Sequence, residues 1–256
     1  MRVTFVVGAV VVALTAAVTV VDAVSAPVRA GSVPAASFSW QGATWCPTYR
    51  GGDGCDNIQG GGTNSTAVFS PSQVVITGSS SRILLEMNST ASRTGAFNTQ
   101  RYETWSEPAT LSEQIELPCN TTGQIENWPA FWLVTTSSWP AGGEIDIMEG
   151  LSGSVAWHYH YLNSFGRPSA VGGPVPGFSG CGIHTYAVNW TTEAITFYYD
   201  GKEAGHVTPA EIGVPIASGP MYVINDYAAS SIYGGPTADN AKMEILKFTS
   251  HRMQRR

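Results

Sequence analysis

Glu144, Asp146 and Glu149 place three carboxylates within six residues of a chain that is otherwise poor in charge. They lie in the stretch Gly143–Gly150, GEIDIMEG. Extended backbone alternates its side chains between two faces, so Glu144 and Asp146 share one face and Ile145 and Ile147 take the other. Strict alternation would send Glu149 inward with the isoleucines, and an unpaired carboxylate in an apolar interior costs several kcal/mol. A one-residue β-bulge near Ile147–Met148 removes the conflict. It turns Met148 into the apolar side and returns Glu149 to the acid face. Four strand steps span about 13 Å between the outer Cα atoms. Two glutamates leaning together then leave about 5 Å between carboxyl groups, the separation at which a carboxylate pair cleaves glycosidic bonds with retained configuration. Asp146, between them, can share a proton with one glutamate and raise the proton affinity of the other. Such coupling separates an ionised nucleophile from a protonated acid.

Two other readings compete for these residues. Acids on the outer face of a strand are commonly just solvated, and three carboxylates also suit Ca²⁺ or Mn²⁺. Collinear acids on one strand make a poor cage, however, and no Asp/Asn/Gly loop accompanies them, so no metal is assigned here. The neighbouring aromatics favour catalysis. In Asn127–Trp132 (NWPAFW), Trp128 and Trp132 share one strand face while Phe131 looks into the core, and Trp139 precedes the acids by five residues. Large aromatics on an open face stack against the apolar faces of sugar rings.

The elements that must carry these residues read as strands. After the first forty residues, short alternating or apolar runs are separated by turn residues, as in a sandwich or barrel. They include Gln73–Thr77, Arg82–Met87, Leu111–Leu117, Ala156–Leu162, His184–Trp190, Met221–Ala228 and Lys242–Thr249. The run Ala194–Tyr199 ends in the hairpin signal Asp200-Gly201. No helical periodicity of useful length appears, and the economical fold is all-β, a single two-sheet sandwich over residues 31–256. Charged residues make up 12% of the chain, against roughly 25% in ordinary domains. The net charge of −6 leaves no basic stripe for nucleic acid. The one basic cluster, His251–Arg256, reads as a frayed end.

Residues 1–30 read as a secretory signal peptide. Met1-Arg2 supplies a positive start, Val3–Val21 is almost wholly apolar, and small residues follow at Val24–Ala26 and Val28–Ala30. Cleavage after Ala30 fits better than cleavage after Ala26, which would leave Pro27 at the new N-terminus. The apolar run of 19 residues is also long enough to span a bilayer, so an uncleaved anchor is the alternative. Secretion, with no stable membrane insertion after cleavage, is expected. Cys46, Cys55, Cys119 and Cys181 are even in number and lack zinc spacing, which predicts two disulfides. Their pairing stays open among three combinations.

At this point the sequence resembles a known family. WPAFWL at Trp128–Leu133, followed by WPAGGEIDIMEG at Trp139–Gly150, is similar to glycoside hydrolase family 16, and within it to laminarinase-type endo-β-1,3-glucanases. Weaker echoes at Thr94–Gln100, Leu111–Pro118, His184–Trp190, Ile195–Gly201 and Lys242–Phe248 extend the resemblance over roughly residues 38–250. It implies a β-jelly-roll whose concave face forms an open cleft for a polysaccharide. It also implies roles: Glu144 as nucleophile, Asp146 as assisting carboxylate and Glu149 as general acid/base. His160, in WHYHY, aligns with a family histidine on the next cleft strand, with a packed cleft-wall histidine as the bland alternative. Asn225, in MYVIND, falls on a strand where it could bond a sugar hydroxyl. Gln114 stands where the family usually has Arg, and Asp226 where an apolar residue is common.

The expected protein is a secreted, monomeric, endo-acting β-glucan hydrolase, cutting β-1,3 or mixed β-1,3/1,4 linkages with retention. Its partner is the polysaccharide, with Trp128, Trp132, Trp139, His160 and Asn225 as contacts. No cofactor is expected. A structural Ca²⁺ away from the cleft stays open, with no local signature for it. The alternatives are a wall-remodelling transglycosylase and a non-catalytic glucan-binding jelly roll.

Overall fold

The computed structural model describes residues 37–48, 55, 64–77, 82–88 and 92–252. The expected leader, residues 1–30, lies outside them. The chain runs β1 (Phe38–Trp40), β2 (Ala43–Trp45), β3 (Val68–Phe69), β4 (Val74–Thr77), β5 (Arg82–Glu86), β6 (Arg93–Thr94), β7 (Ala96–Asn98) and β8 (Ala109–Leu117). Then come β9 (Trp128–Thr135), β10 (Glu144–Leu151), β11 (Ser154–Leu162), β12 (Pro168–Pro174), β13 (Gly182–Trp190), β14 (Ile195–Tyr199) and β15 (Lys202–Val207). A four-residue helix, α1 (Pro209–Ile212), precedes β16 (Met221–Ala228) and β17 (Lys242–Arg252). Every strand predicted from the alternating runs is present. The closing one extends further than read, because His251 and Arg252 pair with Thr110 and Ala109 and the Arg252 guanidinium lies over the Trp105 ring.

Two large antiparallel sheets face each other. One has the order β12-β11-β10-β9-β16-β7, the other β15-β14-β13-β8-β17-β5-β4. This is the predicted two-sheet, all-β jelly-roll sandwich. The space between the sheets is filled by the apolar half of each alternating strand. From the first sheet come Phe97, Phe131, Leu133, Ile145, Ile147, Met148, Val155 and Val223, and from the second Leu111, Ile115, Tyr186, Val188, Phe197 and Ile245. Each aliphatic or Phe side chain so enclosed contributes about 1.5–3 kcal/mol. The β14–β15 hairpin turns at Asp200 and Gly201, both at positive φ, as the sequence signal requires. Cysteine pairing, which the sequence left open, is Cys46 with Cys55 and Cys119 with Cys181. The second bond ties the approach to β9 to the start of β13.

The strand that matters most, β10, is bulged. Its register against β11 shifts between Asp146 and Glu149, and against β9 between Asp146 and Met148. Met148 is fully buried with Ile145 and Ile147, while Glu149 is not. The cost of burying a carboxylate thus sets the local backbone, as expected. The opposite sheet anchors the irregularity: the Tyr199 hydroxyl lies 2.9 Å from the carbonyl oxygens of both Ile147 and Ala156. Entry into β10 depends on Gly143, whose φ is +83° and whose absent Cβ would stand 2.6 Å from Met221 Cε and 2.8 Å from Ala217 Cβ. Any side chain there would displace the strand carrying Glu144.

Candidate active site

The outer face of the six-stranded sheet forms a cleft of about 620 Å³. β10 contributes Glu144, Asp146 and Glu149, β9 contributes Trp128, Ala130 and Trp132, β11 contributes His158 and His160, and β16 contributes Asp226. Strand alternation explains the selection, since every second residue of each strand points outward. Trp139 and Tyr233 come from loops at the rim.

Each glutamate has its own histidine. His160 Nε2 lies 3.7 Å from Glu144 Oε1 and 3.2 Å from Asp146 Oδ2. His158 Nδ1 lies 3.0 Å from Glu149 Oε2. The pairing follows from the bulge: before it, Glu144 faces His160 and Asp146 faces His158 across the ladder, and after it Glu149 faces Ala156. The extra residue therefore brings Glu149 diagonally beneath His158. Glu149 Oε1 also accepts a hydrogen bond of 2.9 Å from Trp128 Nε1. Imidazole and carboxylate atoms converge within 4.8 Å in two trios, Glu144–Asp146–His160 and Asp146–Glu149–His158. Such convergence could also seat a cation, but the pairing of each histidine with a carboxylate already accounts for it.

So many carboxyls in one enclosed place hold protons tightly. Burial, then repulsion from Asp146, lifts the Glu144 carboxyl to about 8, against the attraction of His160 and a hydrogen bond with Trp139. Burial also holds Asp146 well above the usual carboxylate range, helped by Glu149 and opposed by His158. Asp146 is the more enclosed of the two, with a side chain 9% exposed against 13% for Glu144. It is the better place for the proton. A proton on Asp146 removes its repulsion of Glu144 and so eases ionisation of Glu144, while the larger effect of burial remains.

A fourth carboxylate completes the cleft. Asp226 pairs with Ala130 across β16–β9, and Ala130 pairs with Glu149 across β9–β10, so a single methyl group separates the two acids along the row. Trp132 Nε1 donates to Asp226 Oδ1 at 2.7 Å. Burial pushes Asp226 up to about 7, with the Trp132 hydrogen bond pulling down and Glu149 pushing up.

The predicted contacts separate into three groups. Trp128 and His160 line the cleft, and Trp139 is its open aromatic, 53% exposed, with its ring 6.2 Å from that of His160. Trp132 also faces the cleft, but at 7% exposure it is packed floor rather than an open platform. Asn225 does not reach the cleft at all. It points between the sheets, fully buried, and its Nδ2 donates to Glu113 Oε1 at 2.9 Å. The one-residue offset along β16 puts Asp226, not Asn225, on the cleft side. Burial raises the Glu113 carboxyl well above its usual range, with the Asn225 hydrogen bond pulling the other way. His158 and Asp226 are cleft residues that the sequence does not assign to the site, Asp226 standing out there only as an acid where an apolar residue is common. WHYHY alternates so that both histidines share one face, and that was the available signal.

A model of glycosyl hydrolases family 16 matches residues 62–246. Endo-1,3-1,4-beta-glycanase ExsH of Rhizobium meliloti is 31% identical over 123 residues, which is 46% of this chain and 25% of that protein. The aligned stretch thus spans a quarter of the relative's length. A family 16 protein from the mixed-linkage glucan locus of Bacteroides ovatus, solved with a G4G4G3G product, superposes with a TM-score of 0.62 at 19% identity, over 81% of this chain and 94% of that one. Endo-beta-1,3-glucanase from Pyrococcus furiosus gives 0.60 at 20% identity, over 85% and 98%. At these identities the two structures share the fold with this chain.

Proposed function

This chain belongs to glycosyl hydrolases family 16, and from that membership and the geometry of its cleft we propose that it is an endo-acting β-glucanase that cleaves β-1,3 or mixed β-1,3/1,4 linkages with retention. The observation that carries the reading is the bulged strand. It sets Glu144 and Glu149 on one face, each against its own histidine, with Asp146 between them. In the proposed reaction, Glu144 attacks the anomeric carbon while Glu149 delivers its proton to the departing glycosidic oxygen. A protonated Asp146 removes one of the charges that oppose ionisation of Glu144. Water then gives a proton to Glu149 and its oxygen to the anomeric carbon, which releases Glu144 and restores the starting state.

The cleft chemistry supports a neutral polysaccharide. Its described lining carries neither Lys nor Arg, so a sulfated or uronate chain would find no lysine or arginine to pair with its charges. Trp139 at one end and the Trp128–Tyr233 pair, with centroids 5.3 Å apart, at the other offer stacking surfaces on both sides of the acids. The relatives named above support glucan as the polymer. Export is part of the same proposal, supported by the apolar leader and by two disulfides, which persist in oxidising compartments.

Incubation with laminarin, mixed-linkage glucan, agar and carrageenan, followed by assay of new reducing ends, tests the reading. Products from laminarin or mixed-linkage glucan are expected. Folded protein that cleaves none of the four, or cleaves carrageenan alone, would refute it.

A further inference from the structure

We propose that His158 is the positioning residue of the acid/base: it donates its Nδ1–H to Glu149 Oε2 and stabilises the negative charge that develops there as the glycosidic oxygen takes the proton. The proposal rests on reading Glu149 as the acid. Glu149 is gripped at both oxygens, by Trp128 Nε1 at 2.9 Å on Oε1 and by His158 Nδ1 at 3.0 Å on Oε2. Two donors on two different oxygens fix the plane of the carboxyl group. The remaining lone pairs are left for the transferable proton and the substrate. The His158–Glu149 pair is not loose. The His158 and Glu149 side chains are 18% and 14% exposed, and the His158 backbone is paired on both sides, to Asp146 and to Gly172. The groups that face the pair are Asp146 and Asp226, both acidic, with the His160 ring 6.0 Å from the His158 ring.

The role follows from charge. When Glu149 gives its proton to the leaving oxygen, the C–O bond breaks, Glu144 bonds to the anomeric carbon and Glu149 becomes a carboxylate. The His158 and Trp128 hydrogen bonds then turn from neutral to charge-assisted and roughly double in strength. An interaction stronger in the transition state than in the ground state accelerates the step. Without it, the new carboxylate would face Asp146 and Asp226 with one donor instead of two. The same donor holds Glu149 ionised and oriented while it waits to deprotonate water. His160 cannot substitute, because it is committed to Glu144 and Asp146.

The test separates acid assistance from mere structural support by leaving group. kcat/KM covers only the steps to the glycosyl-enzyme. A dinitrophenyl oligoglucoside needs no proton on its leaving oxygen, whereas an unactivated glucan oligosaccharide does. His158→Ala is expected to lower kcat/KM roughly 10- to 100-fold on the unactivated substrate, a fraction of the ~10²–10⁴ that general acid catalysis supplies, and less than about threefold on the dinitrophenyl substrate. His158→Asn, whose amide nitrogen falls close to the Nδ1 position, is expected to recover most of the loss. Equal losses on both substrates, no loss on either, or failure of Asn to rescue would overturn the proposal. If the alanine variant does not fold, ¹⁵N NMR of the histidine side chains in the wild-type protein decides: Nδ1 of His158 is expected to carry a proton, and a bare Nδ1 would overturn the assignment. Wild-type turnover of both substrates with these outcomes reversed would sink the role of His158 and leave the glucanase reading standing. A wild-type protein that cleaves neither would sink the reading itself.

Discussion

Replacing Asp226 by Asn should stabilise the protein at neutral and alkaline pH and leave it nearly unchanged in acid. Asp226 is 5% exposed, and its carboxyl is lifted from 3.8 to about 7, first by burial. Between those values the folded state holds a proton that the unfolded chain has released, so stability falls as pH rises through that window. Three pH units at about 1.36 kcal/mol each give an upper figure of about 4 kcal/mol. Asp146 and Glu149 share part of that repulsion, which brings the expected difference to about 2–4 kcal/mol above pH 7.5. Asn keeps the oxygen that accepts from Trp132 Nε1, so shape and hydrogen bond are conserved and only the charge is removed. In a domain of this size the gain corresponds to roughly 5–10 °C in Tm near pH 8. Urea unfolding of both proteins at pH 4, 5.5, 7 and 8.5, with m-values checked for constancy, measures it. A difference that does not vary with pH, or a variant less stable than wild type at pH 8.5, would refute the reasoning.

Two further substitutions separate cleft from core. Asn225→Ala should destabilise the fold by about 2–3 kcal/mol, because it leaves Glu113 without its hydrogen-bond donor between the sheets; KM should stay within about twofold, whereas a sugar contact would raise it. Trp139→Ala should leave Tm unchanged, since the side chain is half exposed, and should raise KM for long oligosaccharides roughly 3- to 10-fold, the worth of one stacking contact. Melting curves and steady-state kinetics on an oligosaccharide series check both.

Most of the fold was legible because the strands obey one rule. In Ala109–Leu117 buried and half-buried residues alternate without exception, and such a run has one reading. The bulge in β10 was legible for the opposite reason: the alternation fails at Met148, and only an extra residue keeps Glu149 out of the core. In β16 that signal vanishes. All eight residues of Met221–Ala228 are buried, so periodicity cannot say whether Asn225 or Asp226 faces the cleft. The relative cost of burial could have decided, since a carboxylate is more expensive than an amide in the interior. His158 was hidden by register. Its residue type and face can be read from WHYHY, but its partner depends on how far the bulge shifts β10 against β11, and that displacement is a property of the paired strands. The disulfides likewise depend on which loop ends meet.

The central claim is that Glu144, on the acid face of the bulged strand, forms the covalent bond to sugar. Incubation with a 2-deoxy-2-fluoro oligoglucoside bearing a dinitrophenolate leaving group, followed by peptide mapping by mass, tests it most directly. The fluorine slows release of the intermediate more than its formation, so a glycosyl adduct should accumulate. The expected result is one adduct per chain, on Glu144, with a matching burst of dinitrophenolate. An adduct on Glu149, or none from protein that still cleaves glucan, would contradict the account.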